Sequence, residues 1–259
     1  MSLDNYTLHE DIREYWSRRA DTFDMAFGHK IAQGKEFAAW QKPILDHIGS
    51  KPLKVLELAC GTGEITHLIH AIGHDVTAVD FSEAMLQKAI DKHKGKKGLK
   101  FHLANAESLH EPEHSYDAMI CRHLVWTLIY PEETFQSWFR ILKPGGKLLI
   151  FDGNWVRLRP FIGPVAAGLI YLMDKYYGPD NFYESSLSDA HKDIMSALPF
   201  SKGLTYEILE PLLKKAGFRN IQKFSHAPIA SAQRRQADLR NKLRTVLYDR
   251  FILTAEKPA

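Results

Sequence analysis

Two cysteines, Cys60 and Cys121, are all that the 259 residues contain. No disulfide framework is implied, and a reducing, cytoplasmic setting with both thiols buried is the expectation. Long apolar runs are also missing. The longest, Phe161 to Met173, is interrupted by Gly163, Pro164 and Gly168 and falls short of the ~20 residues that a bilayer-crossing helix needs. Met1 to Glu10 is polar and acidic, so no signal peptide is expected and the chain reads as soluble. A net charge of +3 is too small to argue for nucleic acid by itself. What is present is ordinary for a globular protein: 45% apolar and 25% charged residues, enough for one α/β domain with an appended or inserted lid.

The most informative stretch is Val55-Leu56-Glu57-Leu58-Ala59-Cys60-Gly61-Thr62-Gly63. An apolar run rich in β-formers leads into two glycines one residue apart, which reads as a buried strand, a tight loop and a helix starting near Thr62. Glycine lets a backbone approach a ligand with no Cβ in the way. Some twenty residues on, Val76-Thr77-Ala78-Val79-Asp80 is a second apolar strand ending in a carboxylate. An acidic group at that offset is placed to accept both hydroxyls of a ribose.

A dinucleotide fingerprint requires a third glycine so that the helix N-terminus can face a pyrophosphate. Thr66 stands at that position, and Glu64 adds negative charge beside it. No G-x-x-x-x-G-K-[ST] sequence is present, which excludes a P-loop. A ribose-bearing cofactor without phosphate, S-adenosylmethionine, fits better. His110-Glu111-Pro112-Glu113-His114 satisfies H-E-x-x-H, but that zinc pattern works only on a helix and Pro112 breaks one.

Strand and helix signals alternate. Helices are predicted at 8–27, 35–48, 62–72, 82–93, 131–142 and 205–216, and strands at 53–58, 75–80, 99–103, 116–121, 147–152, 218–225 and 250–256. Ser82 and Glu83 read as a helix start, Pro131 as a first helical residue, and Pro144-Gly145-Gly146 as a turn. Such alternation builds a doubly wound, mostly parallel α/β sheet that binds ligands at the carboxyl ends of its strands. The expected layout is an N-terminal helical cap over 1–49 and a Rossmann-like domain over 50–259. That domain has an aromatic lid insertion at 153–203 (Trp155, Phe161, Tyr171, Tyr176, Tyr177, Phe182, Tyr183) and a basic amphipathic helix at 227–249. The basic helix has two open readings: its apolar stripe packs on the domain, or it meets an acidic partner or a membrane surface.

Glu57 to Gly63, Asp80, and Leu142-Lys143-Pro144-Gly145-Gly146-Lys147-Leu148 together resemble, in order and spacing, the motifs of class I S-adenosylmethionine-dependent methyltransferases. The likeness is greatest to the small-molecule group that includes the quinone-biosynthesis enzymes. It covers residues 50–155 well and 10–30 and 204–257 more weakly. It implies a seven-stranded sheet whose last two strands are antiparallel, and direct displacement of the methyl group onto a small organic acceptor. It implies cofactor contacts from Gly61 and Ala59 to the methionine part, from Asp80 to the ribose, and from Glu57 to the loop or, through water, the amino group. Phe81 and Met85 would flank the adenine. Asn105, Ala106 and Glu107 resemble the segment that meets the adenine amine, although Asn105 replaces the family's Asp and gives an uncharged acceptor. Ala59 departs from the commoner glycine, which matters little if its side chain points into the sheet. Arg122 is assigned to the methionine carboxylate or an acidic substrate, and Trp16, Arg19 and Trp126 to closing the site. An aromatic ring beside a sulfonium gains cation–π attraction. His123 is the candidate general base, with a plain structural histidine as the equal alternative.

Two rival functions stay in view: a non-catalytic S-adenosylmethionine-binding or scaffold protein, and a nicotinamide oxidoreductase, which Thr66 disfavours. The absence of an Asn-Pro-Pro-Tyr or Asp-Pro-Pro-Tyr tetrapeptide, which in the resembling superfamily marks methylation of a base amine, lowers a nucleic-acid reading. Aromatics in 153–203 favour a planar or apolar acceptor.

Overall fold

The computed structural model describes residues 3–179 and 185–259; Phe182 and Tyr183, counted above among the lid aromatics, lie outside them. Seven strands form one sheet: β1 Lys54–Leu58, β2 Asp75–Asp80, β3 Leu99–Leu103, β4 Tyr116–Arg122, β5 Leu142–Leu158, β6 Arg219–Ser225 and β7 Tyr248–Glu256. Their order is β3-β2-β1-β4-β5-β7-β6. The pairs from β3 to β5 are parallel, and β7 runs antiparallel to both β5 and β6, as the resemblance implied.

The period of two along each strand divides the core. Leu56, Met119, Cys121, Leu148 and Ile150 face one layer, with α1 (Leu3–Arg19), α5 (Pro131–Ile141) and α8 (Tyr206–Ala216). Val55, Ala118, Ile120, Leu149 and Phe151 face the other, with α2 (Lys35–Ile48), α3 (Glu64–Ile72) and α4 (Glu83–Lys92). Helices cover both faces, which is why the central strands read as nearly continuous apolar runs. Trp138 on α5 is buried and donates to the Ala106 carbonyl at 2.9 Å, fixing the β3–β4 connection to that layer.

Three segments differ from expectation. The first helix stops at Arg19 instead of running to 27, and Phe23 lies in a short 3-10 turn, Phe23–Met25. Asp21 and Asp24 are drawn to Lys88 and Lys92 of α4, both at 2.7 Å, which turns the chain toward the sheet. β5 outlasts 147–152 because β7 supplies partners from Lys147 to Gly153 and again at Leu158. The basic 227–249 region is two helices, α9 Ala227–Gln236 and α10 Leu239–Arg244, because the Asp238 carboxylate accepts the Asn241 N–H at 2.8 Å and restarts the helix. The 153–203 insertion contains the end of β5 and two helices, α6 Ile162–Tyr177 and α7 Ser185–Ala197.

Gly63 enters α3 with φ +81°, and a Cβ there would sit 2.7 Å from His93 Nε2, the atom that donates to the Gly63 carbonyl. Gly63→Ala is expected to destabilise the protein by about 1–3 kcal/mol through left-handed strain and the displaced imidazole. Urea denaturation checks this, and a change below about 0.5 kcal/mol, the scale of an inert surface substitution, would show that the loop tolerates a side chain.

Candidate active site

The strand order reverses between β1 and β4, where an open parallel sheet leaves a crevice at its carboxyl edge. The crevice is a cavity of about 460 Å³, with a smaller lobe of about 30 Å³ beside it. The larger space lies within the range of small-molecule sites, ~300–1,000 Å³.

The glycine loop wraps one end. Ala59, Gly61 and Gly63 have φ of +50°, +55° and +81°, so alternate residues are left-handed and the loop folds tightly onto the cavity. For Ala59 this corrects the expectation that its departure from glycine matters little. A left-handed alanine costs roughly 1–2 kcal/mol, which the neighbouring contacts must offset. Asp80 is buried at the end of β2, and its two carboxylate oxygens accept the Gly61 N–H at 2.8 Å and the Ser82 N–H at 2.9 Å. About four acceptor positions exist on a carboxylate, so two remain. Burial pushes its pKa up to about 6.

Glu57 lies beneath the loop and accepts the Thr66 hydroxyl at 2.5 Å. Thr66 thus uses the position of a third glycine to hold an acid. Burial raises the Glu57 pKa to about 8. Glu64 is matched by Lys92 at 2.6 Å and by the Ile31 N–H at 2.7 Å, so its charge is compensated and the case against a pyrophosphate rests on Thr66.

Arg122 and His123 follow β4. Arg122 Nη2 donates to the His29 carbonyl at 2.8 Å and its guanidinium lies 5.2 Å over Trp40, while its buried Nη1 has no hydrogen-bond partner among the described residues. His123 has φ +57° and donates its N–H to Phe151 at 2.8 Å; its ring meets Trp155 edge-on at 4.8 Å. Burial and the adjacent Arg122 hold its pKa well below the ordinary histidine value, so the imidazole is neutral.

Helix α1 closes one side. Trp16 stands edge-on to Trp126 at 6.3 Å, and Trp126 stacks on His191 of α7 at 5.7 Å. Arg19 is buried against the same cavity, which Phe81 and Met85 also line. Asn105, Ala106 and Glu107 line the small lobe. There the Asn105 amide oxygen accepts the Glu107 N–H at 2.9 Å. The Glu107 carboxylate is engaged by His9, the Ile129 N–H and the Tyr130 N–H, at 2.7–3.1 Å. It therefore holds the lobe's wall together and leaves little acceptor capacity for a ligand. Every residue assigned above to the cofactor, to catalysis or to closing the site borders one of the two spaces. The expected aromatic lid is corrected: among its described aromatics Trp155 alone lines the cavity, while Phe161, Tyr171, Tyr176 and Tyr177 are exposed to solvent on and beside α6.

Several lining groups were not anticipated: Tyr15, His29, His191, Arg244, Tyr248 and Arg250. Asp152, at the end of β5, was missed as well. It accepts Val125 N–H at 2.9 Å and Trp155 Nε1–H at 2.8 Å, setting the loop and ring that border His123. Phe151-Asp152-Gly153 repeats the pattern that exposed Asp80, an apolar strand ending in a carboxylate, so a signal existed. The others arrive through long-range closure and carry none.

Residues 56–150 match the family described as "Methyltransferase domain". The chain is 33% identical to a ubiquinone/menaquinone biosynthesis C-methyltransferase of Shewanella sediminis over 44% of its own length and 48% of that protein. It is 26% identical to the protein of the same name from Vibrio campbellii over 86% of this chain and 91% of that one. Thus the chain spans about half the length of the first relative and nearly all of the second. In fold it is similar to Haemonchus contortus phosphoethanolamine N-methyltransferase 2 in complex with S-adenosyl-L-methionine (TM-score 0.62, 16% identity), with 93% of this chain and 57% of that one aligned.

If the two open acceptor positions of Asp80 take ribose hydroxyls, only its ionised form can do so fully. Affinity for S-adenosylhomocysteine is then expected to fall as pH drops through about 6. Asp80→Asn should weaken binding by roughly 10–100-fold, the worth of charge-assisted hydrogen bonds, and flatten that pH response. Isothermal titration from pH 5 upward measures both, with circular dichroism monitoring the fold; unchanged affinity in the variant would place the ribose elsewhere.

Proposed function

We propose that this chain, whose residues 56–150 match the family described as "Methyltransferase domain", is an S-adenosylmethionine-dependent methyltransferase that methylates a ring carbon of a small, planar, electron-rich acceptor of the quinol or phenol type. The observation that carries this reading is the cavity's aromatic lining: Trp155 meets the neutral His123 edge-on at 4.8 Å and Tyr248 at 6.0 Å, and Trp126 stacked on His191 lines the same space. The names of the relatives point the same way.

The residues present suit the cofactor. Left-handed Gly61 leaves the loop bare, Asp80 has two acceptor positions for a diol, and the unpartnered Nη1 of Arg122 is matched to a carboxylate. Trp16 and Phe23 offer aromatic surface to a sulfonium. When bound, the cofactor supplies a methyl group activated by positively charged sulfur. The protein's part is then chiefly alignment, which can supply ~7–11 kcal/mol. Aromatic walls hold a flat ring and exclude water, while Asp152 fixes Trp155 so that this wall keeps its angle. His123, neutral and beside the walls, takes the acceptor's hydroxyl proton as the ring carbon accepts the methyl group and the sulfur–methyl bond breaks; the proton then returns to the oxygen as the methylated carbon loses its own hydrogen to water, which restores the aromatic ring.

An amine acceptor fits less well. Arg19, Arg122, Arg244 and Arg250 all border the cavity, and their positive field opposes an ammonium while favouring a phenolate. No finding supports a non-catalytic role.

Incubation with methyl-labelled S-adenosylmethionine and separate quinol, phenol, amine and thiol acceptors tests the reading, with mass spectrometry locating the new bond. A carbon–carbon bond on the ring is expected; transfer to amines with none to quinols or phenols would overturn it. His123→Ala is expected to lower kcat by about 10²–10³-fold while leaving the dissociation constant of S-adenosylhomocysteine within about twofold. Retention of full kcat would make His123 a packing residue.

A further inference from the structure

Helix α6 leaves about half of its circumference uncovered by the rest of the described chain, and that half is apolar. Phe161, Val165, Leu172 and Tyr176 are 93%, 64%, 59% and 82% exposed, and Leu169 lies between them on the same face. Lys175 is the one charged residue on this face among the described residues. The opposite side is pressed home: a Cβ on Gly163 would lie 2.9 Å from Leu158 Cβ and 3.1 Å from the Leu247 carbonyl. Phe161 leads into the helix with φ +62°, a conformation that bulky residues rarely adopt, and there it presents its ring to solvent. An exposed apolar face this continuous is unusual on a monomeric surface and marks a place of interaction.

Charge identifies the occupant. Arg157 and Arg159 are exposed just before the helix, and α10 packs beside it with Arg240 bonded to Asp174 at 3.3 Å. Residues 155–178 and 227–244 together carry a formal net charge of +6, whereas the entire chain carries +3. Of these cations Arg157, Arg159 and Lys175 stand exposed beside the apolar face, whereas Arg240 is held by Asp174 and Arg244 lines the cavity. A second copy would bring an equal positive frame against it, which opposes self-association. At 16 residues the helix is about 24 Å long, and no described helix is long and apolar enough to cross a membrane. A helix with an apolar face and basic borders suits the boundary between headgroups and acyl chains.

We propose that α6 and its arginine-rich flank dock this protein on an anionic phospholipid surface, the helix lying in the plane of the interface. The proposal does not depend on which acceptor the enzyme methylates.

Flotation of the full-length protein with vesicles tests it. Wild type is expected to float with phosphatidylglycerol-containing vesicles, to bind phosphatidylcholine vesicles far less, and to be released by high salt. The double variant Val165→Glu with Leu172→Glu should reduce partitioning at least ~tenfold. Arg157→Gln with Arg159→Gln should reduce it roughly fivefold per charge while leaving the apolar face intact. Both variants should keep the wild-type circular dichroism and S-adenosylhomocysteine affinity, and the arginine pair carries the test if the glutamate pair does not fold. Absence of wild-type flotation on anionic vesicles overturns the proposal. So does flotation unchanged in both variants, or a wild-type dimer in lipid-free solution that the glutamate pair converts to monomer, which would assign the face to a second copy.

Discussion

The carboxylate of Asp80 ties together four of the parts that meet at the cavity. One oxygen takes the Gly61 N–H and so holds the loop after β1; the other takes the Ser82 N–H. Ser82 in turn caps α4 by accepting the Met85 N–H at 3.3 Å, and its hydroxyl meets Ser17 of α1 at 2.9 Å. A single buried acid thus links the glycine loop, the end of β2, the start of α4 and the covering helix. The arrangement is economical because the acid that holds these parts also lines the cavity. It is also constrained: the acid must stay buried, and burial is what raises its pKa into the range where protonation state changes near neutrality.

The same balance of burial and charge runs through the rest of the site. Desolvation raises Glu57 to about 8 and Asp152 to about 7, and it lowers His29 to about 3. Near neutral pH, therefore, Glu57 is largely protonated and the imidazoles are neutral, while arginine does not give up its proton. Arginine thus supplies the cavity's lasting positive charge, facing the acids Glu57, Glu64 and Asp80 on the same lining. Such a field attracts the carboxylate of an amino-acid cofactor and stabilises negative charge developing on an acceptor oxygen. A cation placed beside Glu57 would lower its pKa and favour the ionised form.

The sheet was legible because period-two apolar runs, Pro131, Ser82 and the glycine pair each point to one local structure. Three of the predicted elements, 35–48, 75–80 and 99–103, have the observed boundaries. Boundaries failed where a distant partner decides them. Lys88 and Lys92 end the first helix early, β7 lengthens β5, and Asp238 divides a helix that periodicity alone would continue. The site divides in the same way. Glu57, Gly61 and Asp80 were readable since strand-end position determines their direction, whereas His191, Arg244 and Arg250 reach the cavity only by tertiary closure. Asn105 and Glu107 show a third case. Position placed them at the cavity, but their acceptor atoms are met by donors of the protein itself: the Asn105 oxygen by the Glu107 N–H close in sequence, the Glu107 carboxylate by His9 and the N–H groups of Ile129 and Tyr130 from distant segments.

Of the two readings that the sequence left open for the basic segment, the structure shows packing on the domain. Ile229 and Ala230 of α9 are buried, and α10 lies against α6, with Arg240 held by Asp174 and Arg244 turned to the cavity. Helix α6 is joined to the active-site wall over a very short path. The Arg159 N–H donates to the Leu247 carbonyl at 2.8 Å, and Gly163 packs against that same carbonyl. Leu247 itself lines the cavity, followed at once by Tyr248 and then Arg250. A side chain at 163 would push directly on this strip, which is the physical reason for glycine there. The apolar helix and the acceptor wall therefore share one backbone segment, so a displacement of α6 cannot occur without shifting the wall against which a planar acceptor would lie.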